Sequence, residues 1–237
     1  MTKPERRIPN PESRIPTGVP KAFVFDAYGT LFDVMSVTSL CELLFPGSGT
    51  ALAAMWRAKQ LHYSLLRSMM DRYADFWQVT QDGLAYAARA LQLDLTSARA
   101  AQLMDAYRTL QAFPDVKPGL EQLKSKGLAL AILSNGAPSM LESATRSAGI
   151  AGLLDAVISV DDIKVFKPSP RVYALAPARL RMAADEIGFV SSNGWDVAGA
   201  ASAGLTAFWI QRVAAEPAEE LGFQAARVVH AITDLVP

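Results

Sequence analysis

Five short apolar runs set the frame for this chain: Ala22–Phe25 (AFVF), Leu128–Leu133 (LALAIL), Ala156–Val160 (AVISV), Ile187–Val190 (IGFV) and Thr206–Ile210 (TAFWI). Each is short and apolar almost throughout, which is how a strand reads when both of its faces are covered. Helical patterns over Pro138–Ala148 and Pro170–Arg181 separate the later runs. That alternation predicts an α/β fold, a Rossmann-like doubly wound parallel sheet with helices on both faces. Pro177 falls inside the last helical stretch, and its missing N–H predicts a kink or break there.

The first two runs stand far apart, and residues 34–112 between them read as helix only. Ala51–Met70 places Leu52, Met55, Trp56, Tyr63, Leu66 and Met70 at helical spacing, and Gln81–Leu93 and Ser97–Leu110 continue as helices. A helical block inserted after the first strand is a cap subdomain over the end of the sheet. Ligands of open α/β sheets bind beyond the carboxyl ends of the strands, so such a cap encloses a site. The expected division is an N-terminal tail over 1–20, a Rossmann-like core from 21–33 and 113–237, and the cap over 34–112. The tail holds five prolines and six charges and lacks the apolar stretch of a secretory signal.

Composition narrows the partners. With 23 basic and 23 acidic side chains the formal charge is zero, so no nucleic-acid surface is expected. No run approaches the roughly 18 apolar residues of a membrane helix. The single cysteine, Cys41, excludes a disulfide within one chain and any cysteine-clustered metal site, and fits a reducing cytoplasm. His62 reads as cap surface or packing and His230 as a C-terminal strand residue, which leaves little for a histidine-rich metal site.

The polar residues gather where the architecture puts a site. Asp26, Ser134-Asn135, the segment Asp161–Lys167 and Ser191-Ser192-Asn193 each follow an apolar run directly. Asp26-Ala27-Tyr28-Gly29-Thr30-Leu31 is the sharpest of these. A carboxylate there either closes the strand in an Asx-turn or serves as a nucleophile oriented by Thr30. Lys167 precedes Pro168 and so favours an extended loop, while Ser169-Pro170 reads as N-cap and N1 of the following helix. Arg57 has no carboxylate on its own helix face, whereas Arg67 has Asp71 four residues on. Phe76 and Trp77 by themselves read as core packing, Tyr173 as a half-buried helix aromatic, and Trp195 equally as a pocket wall or core. No Gly-x-Ser-x-Gly elbow occurs, which disfavours an α/β-hydrolase.

Taken together, Asp26–Thr30, Ser134-Asn135, Lys167-Pro168 and Ser191–Asp196 resemble the ordered motifs of the haloacid dehalogenase superfamily, with a helical insertion in the matching place. The resemblance runs from residue 21 onward. Phosphatases of that superfamily bind Mg²⁺ through further carboxylates, and here Tyr28 and Ser192 stand at two of those positions. Phosphoryl transfer without a metal is a poor fit. The chain instead resembles type II (S)-2-haloacid dehalogenases. It carries their Asp-x-Tyr-Gly-Thr, Ser-Asn-Gly and Ser-Ser-Asn-x-Trp-Asp signatures, with the cap segment Trp56–Leu61, Tyr63-Ser64 and Leu66–Ser68.

The resemblance implies a metal-independent, cofactor-free hydrolysis of 2-haloacids through an ester on Asp26. It gives catalytic roles to Asp26, Thr30, Arg57, Ser134, Lys167, Tyr173, Ser191, Asn193 and Asp196. Ala27, Tyr28, Arg57, Leu61, Phe76, Ser134, Asn135 and Trp195 would hold the substrate. Lys167 would point its ammonium at Asp26 and keep it ionised. Arg57 and Asn135, with the Phe76 ring edge, would receive the departing halide. The expected partners are a small 2-haloacid and a halide ion, with no nucleic acid and no membrane, and the chain is expected to be a cytoplasmic homodimer. The alternatives are an Mg-dependent phosphatase of the same superfamily and a non-catalytic small-anion binder.

Overall fold

A computed structural model describes residues 20–236; the expected tail, except Pro20, lies outside them. Strand β1 (Ala22–Phe25) is followed by helices α1 (Thr38–Leu44), α2 (Gly49–Met69), α3 (Phe76–Ala90) and α4 (Ser97–Ala106). Helix α5 (Val116–Ser125) leads into β2 (Ala129–Ser134), α6 (Pro138–Ser147) and β3 (Ala156–Ser159). The chain then runs through α7 (Pro170–Tyr173), α8 (Leu175–Leu180), β4 (Ile187–Ser191), α9 (Gly194–Ser202), β5 (Thr206–Ile210) and β6 (Arg227–Val229).

All six strands are parallel in the order β3-β2-β1-β4-β5-β6. This is the doubly wound 3-2-1-4-5-6 order. The strand order reverses beside β1, which makes the carboxyl ends of β1 and β4 the switch point at which sheets of this kind bind ligands. Every residue of β1, β4 and β5 is buried, as a strand covered on both faces requires. The edge strands β3 and β6 each leave residues exposed.

Helices α1–α4 stand between β1 and β2, and α2 packs along α3. The chain leaves and re-enters the sheet layer through paired linkers: Asp33 N–H donates to Gln111 C=O at 2.8 Å and Phe113 N–H to Leu31 C=O at 3.0 Å. Helix α3 starts at Phe76 and not at Gln81, because the Asp75 carboxylate caps the Gln78 N–H. Helix α4 ends at Ala106 and not at Leu110, where the chain tightens into turns. The stretch 170–181 divides at Ala174, three residues ahead of Pro177, which cannot donate to the Tyr173 carbonyl one turn back. Ser169 and Pro170 take the N-cap and N1 positions, although the Ser169 hydroxyl makes no capping bond. His62 is exposed on α2, and His230 lies one residue past β6, outside the strand. Among the described residues no helix is long and apolar enough to cross a membrane.

Candidate active site

Asp26 lies one residue beyond β1, its N–H donating to Val190 C=O at 2.9 Å, so the switch point of the sheet sets its position. Thr30 Oγ1 donates to Asp26 Oδ2 at 3.0 Å, and Asn193 Nδ2 donates to the same oxygen at 3.1 Å. The Ser192 N–H donates to Thr30 Oγ1 at 2.9 Å. That bond occupies the hydroxyl's acceptor side and leaves its proton for the carboxylate. The turn between Asp26 and Thr30 depends on Gly29, whose φ is +96°. A Cβ there would also press on Ser192 Oγ at 3.3 Å.

On the other side, Lys167 Nζ donates to Asp26 Oδ1 at 3.1 Å and to Asp196 Oδ2 at 2.9 Å. Tyr173 Oη donates to Asp196 Oδ1 at 2.7 Å. Lys167 and Asp196 are fully enclosed and Asp26 nearly so. Burial works against the charged lysine, but Asp196 and then Asp26 outweigh it, and its pKa lies above the ordinary 10.5. Burial pushes the Asp196 carboxyl up, with Lys167 opposing and Asp26 adding to the rise. Burial likewise raises Tyr173, and Asp196 adds to that rise, so the phenol stays a donor. Gly199 makes this approach possible, since a Cβ on it would collide with Tyr173 Oη and Pro168.

A lysine ammonium thus stands between the two carboxylates. With Tyr28 and Ser192 at the neighbouring positions, the donor set does not fit a divalent ion, which takes several hard oxygens. Among the described residues, no three His, Cys, Asp or Glu side chains gather to hold a metal.

At the end of β2, Ser134 Oγ accepts the Gly136 N–H at 3.0 Å, which leaves its own proton free to donate. Asn135 Oδ1 accepts the Lys167 N–H at 2.9 Å, so its amide nitrogen is the end left over. At the end of β4, Ser191 Oγ accepts the Asn193 N–H at 3.2 Å and shapes the loop that carries Asn193. Arg57, half-buried on α2, reaches across to the loop after β1, where Nη2 donates to Tyr28 C=O at 2.9 Å. The Tyr28 ring packs on Phe76 with centroids 5.6 Å apart, and burial keeps its hydroxyl well above the ordinary tyrosine pKa. Ala27 is buried beside it. Leu61 and Trp195 lie apart from this hydrogen-bonded network, half-buried one turn beyond Arg57 and one residue before Asp196.

Arg67 differs from the expectation. Its Nη2 donates to Asp82 on α3 at 2.7 Å and not to Asp71, which sits in a left-handed turn at φ 54° past the end of α2. Other contacts were not anticipated. Arg212 Nε and Nη2 donate to Thr30 C=O at 3.1 and 2.8 Å, while Nη1 pairs with Asp115 at 2.7 Å. This brace joins the loop after β1 to the start of α5 through residues remote in sequence. Gln60, fully buried, accepts from Arg57 Nη1 at 2.8 Å. It falls on one helix row with Leu52, Trp56 and Ser64, and a polar side chain on a buried row is a signal the sequence carried.

The haloacid dehalogenase-like hydrolase family matches residues 20–204. An (S)-2-haloacid dehalogenase of Pseudomonas sp. strain YL is 46% identical over 192 residues, which cover 81% of this chain and 83% of that protein. The crystal structure of L-2-haloacid dehalogenase RSc1362 superposes with a TM-score of 0.90 at 48% identity, covering 92% of this chain and 98% of that one. An L-2-haloacid dehalogenase of Xanthobacter autotrophicus with chloropropionic acid covalently bound superposes at 0.86 with 41% identity, over 92% and 97% of the two chains.

Proposed function

Because the chain belongs to the haloacid dehalogenase-like hydrolases, and within them to the (S)-2-haloacid dehalogenase family, we propose that it hydrolyses short (S)-2-haloalkanoic acids to (R)-2-hydroxy acids and halide. The observation that carries this reading is the setting of Asp26 at the sheet's switch point, held by Thr30, Asn193 and Lys167 at 3.0–3.1 Å. Thr30 and Asn193 bind Oδ2 and Lys167 binds Oδ1, so the carboxylate is fixed through both oxygens while each keeps a lone pair.

The reaction follows from that placement. A carboxylate oxygen of Asp26 forms a bond to the α-carbon as the carbon–halogen bond breaks, and the halide leaves with the bonding pair. Arg57 and the Asn135 amide stabilise the charge gathering on it, with the Phe76 edge alongside. Ser134 and the backbone N–H groups of Ala27 and Tyr28 hold the substrate carboxylate in line for attack. Leu61 and Trp195 line the pocket around the alkyl group, and residues 34–112 serve as the cap that excludes bulk water. Water then attacks the ester carbonyl, expelling the 2-hydroxy acid and restoring the carboxylate. Ser191 and Asn193 position that step. Lys167 stays an ammonium, so the capacity to take the proton from water lies with Asp196, which Tyr173 orients.

The chain works in the cytoplasm as a homodimer. Its single cysteine supports the first point, and the exposed Leu65, Leu66, Met69 and Met70 grouped at one end of α2 support the second.

A single-turnover isotope experiment tests the mechanism. Excess enzyme with (S)-2-chloropropionate in ¹⁸O water should release chloride and unlabelled lactate, with ¹⁸O in the peptide that carries Asp26. Labelled lactate with an unlabelled peptide would make Asp26 a general base, and no chloride release at all would end the dehalogenase reading.

A further inference from the structure

Arg57 is held by more than the nucleophile loop. Its Nη1 donates to Gln60 Oε1 at 2.8 Å, Gln60 Nε2 donates to Thr80 Oγ1 at 2.6 Å, and Thr80 Oγ1 donates to the Phe76 carbonyl at 2.6 Å. Trp56 Nε1 closes the same patch by donating to the Thr80 carbonyl at 2.8 Å. Gln60, Thr80 and Trp56 are fully enclosed between α2 and α3, so water satisfies none of these groups.

The chain of bonds has one permitted direction. The Phe76 carbonyl can only accept, so the single Thr80 proton goes to it. Thr80 must then accept from its other neighbour, which has to be the –NH₂ end of the Gln60 amide. The carbonyl end of Gln60 is thereby turned to Arg57, the only polarity a guanidinium tolerates. A flipped amide would set –NH₂ against N–H, two donors facing each other in a dry interface. Gln60 is also neutral, so it orients the guanidinium without cancelling its charge, as a carboxylate partner would.

We propose that Gln60 and Thr80 are positioning residues that fix the polarity and aim of Arg57 toward the departing halide. This rests on the reading of Arg57 as halide receptor. The pair uses the α2–α3 contact to place a full positive charge over the β1 loop, with Nη2 on Tyr28 C=O as the second anchor. It also accounts for polar residues buried on helix faces otherwise given to packing, since Gln60 shares its row with Leu52 and Trp56.

The test uses leaving groups, because chloride demands more stabilisation than bromide as it departs. Thr80→Val keeps the shape and removes the hydroxyl that orders the amide. It should slow turnover of (S)-2-chloropropionate about tenfold or more, slow (S)-2-bromopropionate distinctly less, and weaken inhibition by added bromide. Thr80→Ser, which restores the hydroxyl, should recover most of each loss. Equal losses on both substrates, or Thr80→Val activity and bromide inhibition like the native chain's, would overturn the proposal. Should Thr80→Val fail to fold by circular dichroism, Gln60→Glu decides. Its carboxylate should neutralise Arg57 and abolish bromide inhibition, and unchanged inhibition would overturn the proposal. Arg57→Ala is run alongside. If it shows no preference between leaving groups, the assignment of Arg57 itself has failed, and the positioning role falls with it.

Discussion

Lys167→Met keeps the length of the apolar stem and removes the ammonium, which probes the charge balance of the site directly. The ammonium lies 3.1 Å from Asp26 and 2.9 Å from Asp196, all three groups being buried. At an effective dielectric of about 20, each contact is a gross attraction of about 5 kcal/mol. Desolvation of the ammonium offsets much of this. Removing one member of such a group nevertheless costs about 3–5 kcal/mol, because the remaining charges are left buried and unpaired. In the variant two carboxylates face each other without a cation, and one should bind a proton. In the native chain the folded pKa of Lys167 lies above 10.5, so its contribution is whole below that pH and is lost as pH rises through the higher value. In the variant the raised carboxyl pKa returns stability as pH falls through it. The deficit is therefore widest on a plateau between the two titrations. Urea unfolding followed by tryptophan fluorescence at about pH 8 and about pH 5.5 measures it. The expected deficit is about 3–5 kcal/mol at the higher pH and visibly smaller at the lower. Lys167→Met combined with Asp196→Asn should recover part of it. A deficit below about 1 kcal/mol, or one equal at both pH values, would refute the reasoning.

Two further outcomes are expected. Arg57→Ala should cut dehalogenation on the order of a hundredfold or more with the circular dichroism unchanged, whereas Arg67→Ala, which loses a partly exposed pair with Asp82 and a long bond to the Arg72 carbonyl, should cost under about 1 kcal/mol of stability and little rate. Activity should also survive EDTA without added divalent ion, since Tyr28 and Ser192 stand where a divalent ion would need further carboxylates; a strict Mg²⁺ requirement in an assay of halide release would overturn that assignment.

What the sequence disclosed, and what it withheld, follows from where each signal is stored. The strands β1 and β5 are legible to the residue because both faces are covered, so AFVF is apolar throughout and TAFWI is apolar after its first residue. Strand β6 pairs on one side only and exposes Arg227 and Val228, so nothing in its three residues separates it from loop. The start of α3 is written locally in Asp75, a cap ahead of Phe76, which hydrophobic period alone does not mark. The convergence at Asp26 could be reached because each partner follows a strand end, and a parallel sheet brings all such ends to one edge. Arg212 belongs to a different category. Its bonds to Thr30 and Asp115 span the sheet and depend on where β5 ends, which no spacing in the chain encodes. Gln60 lies between these cases. A glutamine on a row with Leu52 and Trp56 announces that something polar must meet it, although the sequence cannot say that the partners are Arg57 and Thr80. A polar residue on an apolar helix row is therefore evidence of a buried hydrogen-bond path, because leaving that group unpaired would cost about 1–3 kcal/mol, and here the path ends at the side chain assigned to receive the halide.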